Sequence, residues 1–411
     1  MLSFKTFLKE EAETEATGKL KHIDHAEDRP ILYGGTKRGF SHAYDALMKA
    51  HNHTKSGGKS SDLTMKYDGS PSLVFGHHPE TGKFFVASKS AFNKNPKINY
   101  TSADIAKNHG HAPGLMKKLQ AALHHLKKVA PKTGVYQGDM MFSENDDEKE
   151  ARKEKKGGKV SFNPNTINYT ASGEEAERVK KAKVGIVVHQ QYHGDTIDNM
   201  TADPHPDLHN FGSHPDVWMK GAEHDTRNVH YSDEDQKEFL DHLAKAKAIH
   251  DKHGKDMYKA TEMHRGENGH LITYINSTVR TGEVPSAEGL AKHIQDKYAK
   301  MKPLKTPAGQ SRREAEMKSH LDYIKKNKKH YSHLLEMHHH LQAAKNVLVR
   351  NLEQHTGGLE HDIEGQHTGP EGFVVNHSGE PTKLVNREEF AKANLLRQNK
   401  FGKKPEEETT S

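Results

Sequence analysis

The stretch TMKYDGSPSLVFG, residues 64–76, sets Lys66 two residues before an aspartate and three before a glycine, just ahead of a short apolar run. Such an amine could be an ordinary solvated lysine before a surface turn. It could also be a nucleophile: partly desolvated and held in line, a lysine amine can attack the α-phosphorus of a nucleoside triphosphate. That chemistry makes further demands. The leaving pyrophosphate needs a metal ion, and the crowded negative charge needs cationic neighbours. Carboxylates should therefore stand on strand ends to hold magnesium or a ribose, and a second lysine should reach the α-phosphate. Asp139 in YQGDMMF, Glu371 in EGFVV and Lys383 in TKLV are residues of the right kind. Each has a plain alternative, as an acid paired or solvated at a strand end or as an edge-strand lysine that discourages aggregation.

The elements that must position these groups are legible as patterns. LTMKYD, SLVFGHH and KFFVASKS read as strands, the last two joined by a PETGK turn into a hairpin. GVYQGDMMF (134–142), KVSFNPNTINY (159–169) and KVGIVVHQQYHG (183–194) read as three more. Helical spacing marks 39–51 and 114–130, the latter closed by Pro131. From 195 to 368 strand patterns nearly vanish. Ser232 caps an expected helix through about 253, a second covers 286–301, and a long one runs over 311–354 with a leucine-rich stripe. At 369–390 two apolar runs flank a SGEPT turn, a further hairpin. This predicts an α+β sheet domain interrupted by a long α-helical insertion.

Composition sets the bounds. With 411 residues, two or three lobes are expected. Only 32% of residues are apolar and 29% are charged, so the core is modest for the length. There is no cysteine, which excludes disulfides, thiolate metal sites and a cysteine nucleophile and suits a reducing, cytoplasmic-type compartment. No apolar run approaches the ~18 residues of a membrane span, and the acidic MLSFKTFLKEEAE start lacks the apolar block of a secretory signal. The net charge of +6 suits either a polyanionic partner or a well-solvated surface.

In order along the chain, these motifs resemble the covalent nucleotidyltransferase superfamily: ATP-dependent RNA and DNA ligases and messenger-RNA capping enzymes. Lys66-Tyr67-Asp68-Gly69 is similar to the superfamily's KxDG motif I, and Lys89 in ASKS to a basic residue near the ribose or phosphates. YQGDMMF resembles motif III, with Asp139 where a glutamate is usual. KVGIVVHQQY resembles motif IIIa without its central aromatic. Glu371-Gly372-Phe373-Val374-Val375 resembles motif IV, and Lys383 stands in motif V. The resemblance implies a catalytic domain of antiparallel sheets flanked by helices, in an ATP-grasp-like ligase arrangement. It implies ATP and Mg2+ as cofactors, Lys66 as the nucleophile, and nucleotide contacts from Thr64, Asp68, Gly69, Lys89, Asp139, Glu371 and Lys383. Asp139 and Glu371 would hold the metal.

The resemblance divides the chain into a flexible segment 1–20, a first catalytic part 21–194, the helical insertion 195–368, a second catalytic part 369–395 and a tail 396–411. The partner implied is nucleic acid, RNA in preference to nicked DNA, with no membrane. The segment from KYDG through GIVVH is also similar to uncharacterised tailed-phage (T4-like) proteins. That implies the cytoplasm of an infected bacterium, with packaging in the virion as a second location. A different class of reading is a catalytically reduced, nucleotide-binding head component; another is a transferase that places AMP on a protein or small molecule.

The departures are specific. Ser70-Pro71 follows KxDG where nick-sealing enzymes carry an arginine, Thr64 stands where glutamate is common, and Arg387 is the nearest stand-in for a second motif V lysine. Only 28 residues follow Lys383, too few for the OB-fold domain of DNA ligases. Among the 34 histidines, His189 ends an apolar strand and reads as a satisfied buried residue. The run MHHHLQ points in three directions on a helix and makes no metal site. KKNKKHY (325–331) reads as a solvated helical face or as a phosphate track. HIDHAEDRPILYGG (22–35) reads as a loop before a helix.

Overall fold

The computed structural model describes residues 23–146 and 152–387. The expected N-terminal segment 1–20, the tail 396–411 and part of the charged loop at 146–159 lie outside them. The fold is mixed α+β with largely antiparallel sheets and ten helices among the described residues. The chain divides into two units. Among the described residues, the first holds Ser56–Val229 and Leu352–Pro381; the second holds Asp24–Lys55, His230–Asn351 and 382–387.

In the first unit, strand β1 (Lys59–Lys66) is followed by the hairpin β2 (Ser72–His77) and β3 (Phe84–Ala87). Helices α3 (Ser102–His109) and α4 (Pro113–Leu126) lead to β4 (Val135–Ser143); α1 and α2 belong to the second unit. Strands β5 (Lys153–Lys155), β6 (Lys159–Phe162) and β7 (Asn168–Ala171) precede α5 (Gly173–Lys181) and β8 (Val184–His193). Short strands β9 (Thr201–Asp203), β10 (Val217–Gly221) and β11 (Glu223–Asp225) follow. After the helices of the second unit come β12 (Glu360–Ile363), β13 (Gln366–His367), β14 (Gly372–His377) and β15 (Glu380–Leu384).

Three sheets result. The largest has the order β10-β8-β4-β2-β3, with β9 on β8; its one parallel pair is β10 with β8. It is covered on both faces, which explains the unbroken apolar run in β2. Leu73 and Phe75 pack with Ile105, Leu119 and Leu126 of the two helices, while Val74 packs with Phe85 and Tyr192 on the other side. A second sheet runs β11-β1-β14-β15, and a third β13-β12-β7-β6-β5.

Three expectations are corrected. KVSFNPNTINY is not one strand: Pro164 offers no donor, and the chain turns between β6 and β7, which pair with each other. The helical stretch expected over 195–368 is narrower, because β9, β10, β11, β12 and β13 fall inside it; at two to five residues each they are too short to show alternation. The long helix expected at 311–354 is two. Asn327 ends the first and its amide side chain donates to the carbonyl of Tyr323 at 3.0 Å, the kind of local bond that favours a helix end.

The second unit begins with α1 (Arg29–Tyr33) and α2 (Phe40–Ser56). Its main helices are α6 (Asp233–Thr261), α7 (His270–Thr281), α8 (Ala287–Ala299), α9 (Pro307–Lys326) and α10 (Lys328–Leu352). Ser232, Ser286 and Thr306 cap α6, α8 and α9 by accepting backbone N–H bonds. Polar groups are sealed inside this unit. Lys345 donates to Glu27 at 2.6 Å, both side chains fully buried. Asp28 is held by Arg387 at 2.9 and 3.0 Å and faces His338 at 3.0 Å. Histidines fill the seam between α6 and α10: His242 meets His340 at 3.0 Å, and His253 stacks on His333. His264, just past α6, bonds His320 at 2.9 Å and the hydroxyl of Tyr331.

Candidate active site

Lys66 is the last residue of β1, and register decides what it meets. β1 pairs antiparallel with β14, so Leu63, Thr64, Met65 and Lys66 oppose Val375, Val374, Phe373 and Gly372. Glu371 is the residue before Gly372. The pairing therefore carries its carboxylate to the end of β1, where Lys66 Nζ and Glu371 Oε2 form a close ion pair. Neither side chain is sealed: Lys66 is 29% exposed and Glu371 15%. Burial opposes the charged amine, but Glu371 first, then Asp139 and Asp68, outweigh it and raise the Lys66 pKa above its ordinary value.

Asp139 arrives from a different sheet. It lies mid-way along β4, opposite Ser72 of β2 on one side and Val187 of β8 on the other. β8 carries a bulge at this level. Gln137 pairs with Gln190 and Gly138 with Val188, which leaves His189 as the extra residue. His189 Nε2 lies 3.4 Å from Asp139 Oδ2. Burial works against the Asp139 carboxylate, yet His189, Lys66 and the Ser72 hydroxyl together keep its pKa below the usual range. Gly69 passes directly over this strand. A Cβ there would stand 2.7 Å from Asp139 Cβ and 3.0 Å from Met140 O, so only glycine lets the chain after Lys66 cross so close to Asp139. Backbone bonds fasten the crossing: Ser70 N–H to Met140 O at 2.9 Å, and Met140 N–H to Pro71 O at 3.0 Å.

Asp68 faces the third sheet. Its carboxylate accepts the Asn165 amide at 2.8 Å and the backbone N–H groups of Thr166 and Ile167 at 2.6 and 2.9 Å. Its own N–H donates to the Tyr169 hydroxyl at 2.7 Å. Asp68 thus anchors the β6–β7 turn to the chain immediately after the lysine, and it acts on Lys66 through its charge. Tyr67, between the two, is buried with its ring 6.0 Å from that of Tyr169. Lys66 is therefore placed by all three sheets: β14 sets its partner, β4 brings the second acid and the β6–β7 turn fixes the residues that follow it.

The remaining expected residues make contacts of their own. Thr64 sits two residues before Lys66 on β1, its hydroxyl donating to Val374 O at 3.4 Å. Lys89 opens a short 3-10 turn after the edge strand β3 and is not among the groups acting most strongly on Lys66. Lys383 lies on β15, the strand beside β14 in the second sheet, and its N–H donates to Asp24 O at 2.8 Å. Arg387 is committed to Asp28. His189, read from the sequence as a satisfied buried residue, is instead 28% exposed beside Asp139, and the Asn165–Tyr169 turn is what sequence reasoning passed over. A bulge changes which way one side chain points, and period-two alternation across KVGIVVHQQY cannot reveal it.

Among the described residues no group of three or more histidine or acidic side chains is arranged to hold a metal ion. Asp139 and Glu371 are two carboxylates acting on one amine, a donor set suited to an ion completed by substrate phosphates and water, as magnesium sites often are. No described helix is long and apolar enough to cross a membrane. As a class, the molecule is an α+β protein with a lysine–dicarboxylate cluster built from separate sheets. Residues 20–400 match DUF6267, a family of unknown function, and the chain belongs to that family. No curated protein and no solved structure matches it.

Proposed function

We propose that the protein is an ATP-dependent nucleotidyltransferase of the polynucleotide-ligase kind, with Lys66 as its nucleophile. The observation that carries the reading is the meeting of the Lys66 amine with Glu371 and Asp139, which come from different sheets and are far apart in sequence. In the first step the Nζ lone pair attacks the α-phosphorus of ATP. The bond from that phosphorus to the bridging oxygen breaks, pyrophosphate leaves, and Nζ gives up a proton to yield a lysyl-AMP phosphoramidate. The resting amine, ion-paired with Glu371, is an ammonium, so two protons leave Nζ in all: Glu371, in contact with Nζ, is positioned to take the one that frees the lone pair for attack, and solvent takes the second once the N–P bond has formed.

Asp139 and Glu371 would hold Mg2+, which supplies charge neutralisation for the triphosphate and the leaving group. His189 steadies Asp139, and Asp68 keeps the backbone after Lys66 fixed. The AMP is then passed to a 5′-phosphate, and a 3′-hydroxyl displaces it to seal the strand. RNA is the preferred substrate and a nicked DNA duplex the alternative.

The test is covalent labelling. Protein mixed with α-labelled ATP and Mg2+ should acquire label that survives denaturation and is released by acid, as a phosphoramidate is. Lys66→Ala should abolish it, and persistence of label in that variant would remove Lys66 from the reaction. A chase with 5′-phosphorylated RNA and then with nicked DNA identifies the acceptor.

A further inference from the structure

A second charged feature lies in the helical unit. Residues 292–329 contain twelve Lys and Arg against four Asp and Glu, an excess of eight that is larger than the +6 of the entire chain. The rest of the protein is thus slightly acidic, and the positive charge is concentrated on the end of α8, the loop after it, α9 and the start of α10. Within this stretch the α8–α9 loop and the first turns of α9 form a groove of about 720 Å³ whose lining includes Lys302, Lys305, Arg312 and Arg313, with Met301 and Leu304 between them. Both apolar side chains are exposed, at 39% and 43%. None of the four cations has a carboxylate in ion-pair range among the described residues. Arg313 donates instead to Lys302 O at 2.7 Å, and this bond braces the loop against the helix.

The character of α9 sharpens the point. It is 20 residues long, yet only Ile324 is buried. Its half-buried apolar positions, Met317, Leu321 and Tyr323, lie with Ile324 in its C-terminal half, so packing does not explain the cations of its first turns. A second set of cations, Lys325, Lys326, Lys328 and Lys329, stands at its other end, with Lys328 paired to Glu288. Charge therefore runs along both ends of a helix about 30 Å long. That is far more than a nucleotide or a simple anion spans, and it matches several successive backbone phosphates.

We infer that the α8–α9 groove and the length of α9 bind the phosphate backbone of a nucleic-acid strand. The inference deepens the ligase reading by naming where the substrate is gripped, and it is separable from that reading, because the binding needs neither ATP nor Lys66. Neutralised phosphates release counterions, so affinity should fall steeply with salt.

The experiment is fluorescence anisotropy of the full chain with a labelled, 5′-phosphorylated single-stranded RNA 20-mer, without ATP, across a salt series. The variant replaces Lys302, Lys305, Arg312 and Arg313 by Glu. A charge-matched control replaces the exposed Lys83, Lys94, Lys132 and Lys155 of the first unit by Glu. We expect the groove variant to bind at least tenfold more weakly and the slope of log affinity against log salt to shrink by about three, from four lost single-strand contacts. The control should bind as the parent does. Equal weakening in both variants would show general charge and no site. An unchanged affinity in the groove variant would overturn the inference outright, as would polyglutamate binding as tightly as RNA and losing as much in the groove variant, which would assign the surface to an acidic protein. Failure of Lys66 to label while groove binding persists would retire the adenylyl-transfer reading alone.

Discussion

Two lysine–glutamate pairs show how differently the two units use charge. In the sheet unit, Lys66 meets Glu371 with both groups in reach of water, and its pKa is raised. In the helical unit, Lys345 meets Glu27 with neither reachable, and burial pushes the Lys345 pKa down against the pull of Glu27. The chemistry is the same and the surroundings are not. Water and ions can take over the charges of the open pair when a ligand separates them. The sealed pair has no such substitute, and each member needs the other to remain folded. An open pair beside further carboxylates has the form of a working site, whereas a closed one has the form of a fastening.

The sharpest way to break this contrast is to delete one lysine from each pair. Lys345→Met leaves Glu27 buried with Arg387, 3.7 Å away, as its ion-pair partner among the described residues, and should lower stability by about 3–5 kcal/mol in urea unfolding. Adding Glu27→Gln should restore most of that loss. Lys66→Met should change stability by less than about 1 kcal/mol, since solvent reaches its partners; a loss as large as that at Lys345 would erase the distinction between open and sealed.

A smaller effect is expected at Asp68. Asp68→Ala removes the acceptor for three donors of the β6–β7 turn and should cost about 1.5–3 kcal/mol. Amide exchange should quicken first at Thr166 and Ile167. Unchanged exchange there would mean that the turn holds itself.

The mildest test is pH. Burial, with neighbouring cationic groups, lowers His264 and His270 to about 4, and His242, His333 and His340 are also shifted down. A histidine with a folded pKa below its unfolded value of about 6.5 leaves the unfolded chain binding more protons as pH falls. Stability is therefore intact above about 6.5 and is lost progressively toward 4. Protection factors against hydrogen exchange should fall in α6 and α10 between pH 7 and pH 5 while those of β4 and β8 hold. Equal protection at pH 7 and 5 would show that the seam does not titrate.

Much of this was legible in the sequence where one residue type does one job. SLVFG read as a strand, Ser232 as the start of a helix, and Lys66 and Glu371 stood out by type and by strand context. What was not legible depends on three-dimensional pairing. Nothing in KYDG says that the aspartate turns toward Asn165–Ile167 instead of toward the amine's other neighbours. The bulge that gives Asp139 its histidine depends on how β8 pairs with β4, which local sequence does not encode. The burial of Glu27 with Lys345 joins residues more than 300 positions apart, and HIDHAEDRP, read alone, looks like a loop.

The pairing of Thr64 with Val374 spans 310 residues. During synthesis the ribosome delivers the lysine's strand some 310 residues before its partner strand. Through that interval a growing chain carries the amine without Glu371 beside it. The Lys66–Glu371 pair can form only once β14 has been added beside β1, and a chain that stalls before that point leaves the amine without this partner.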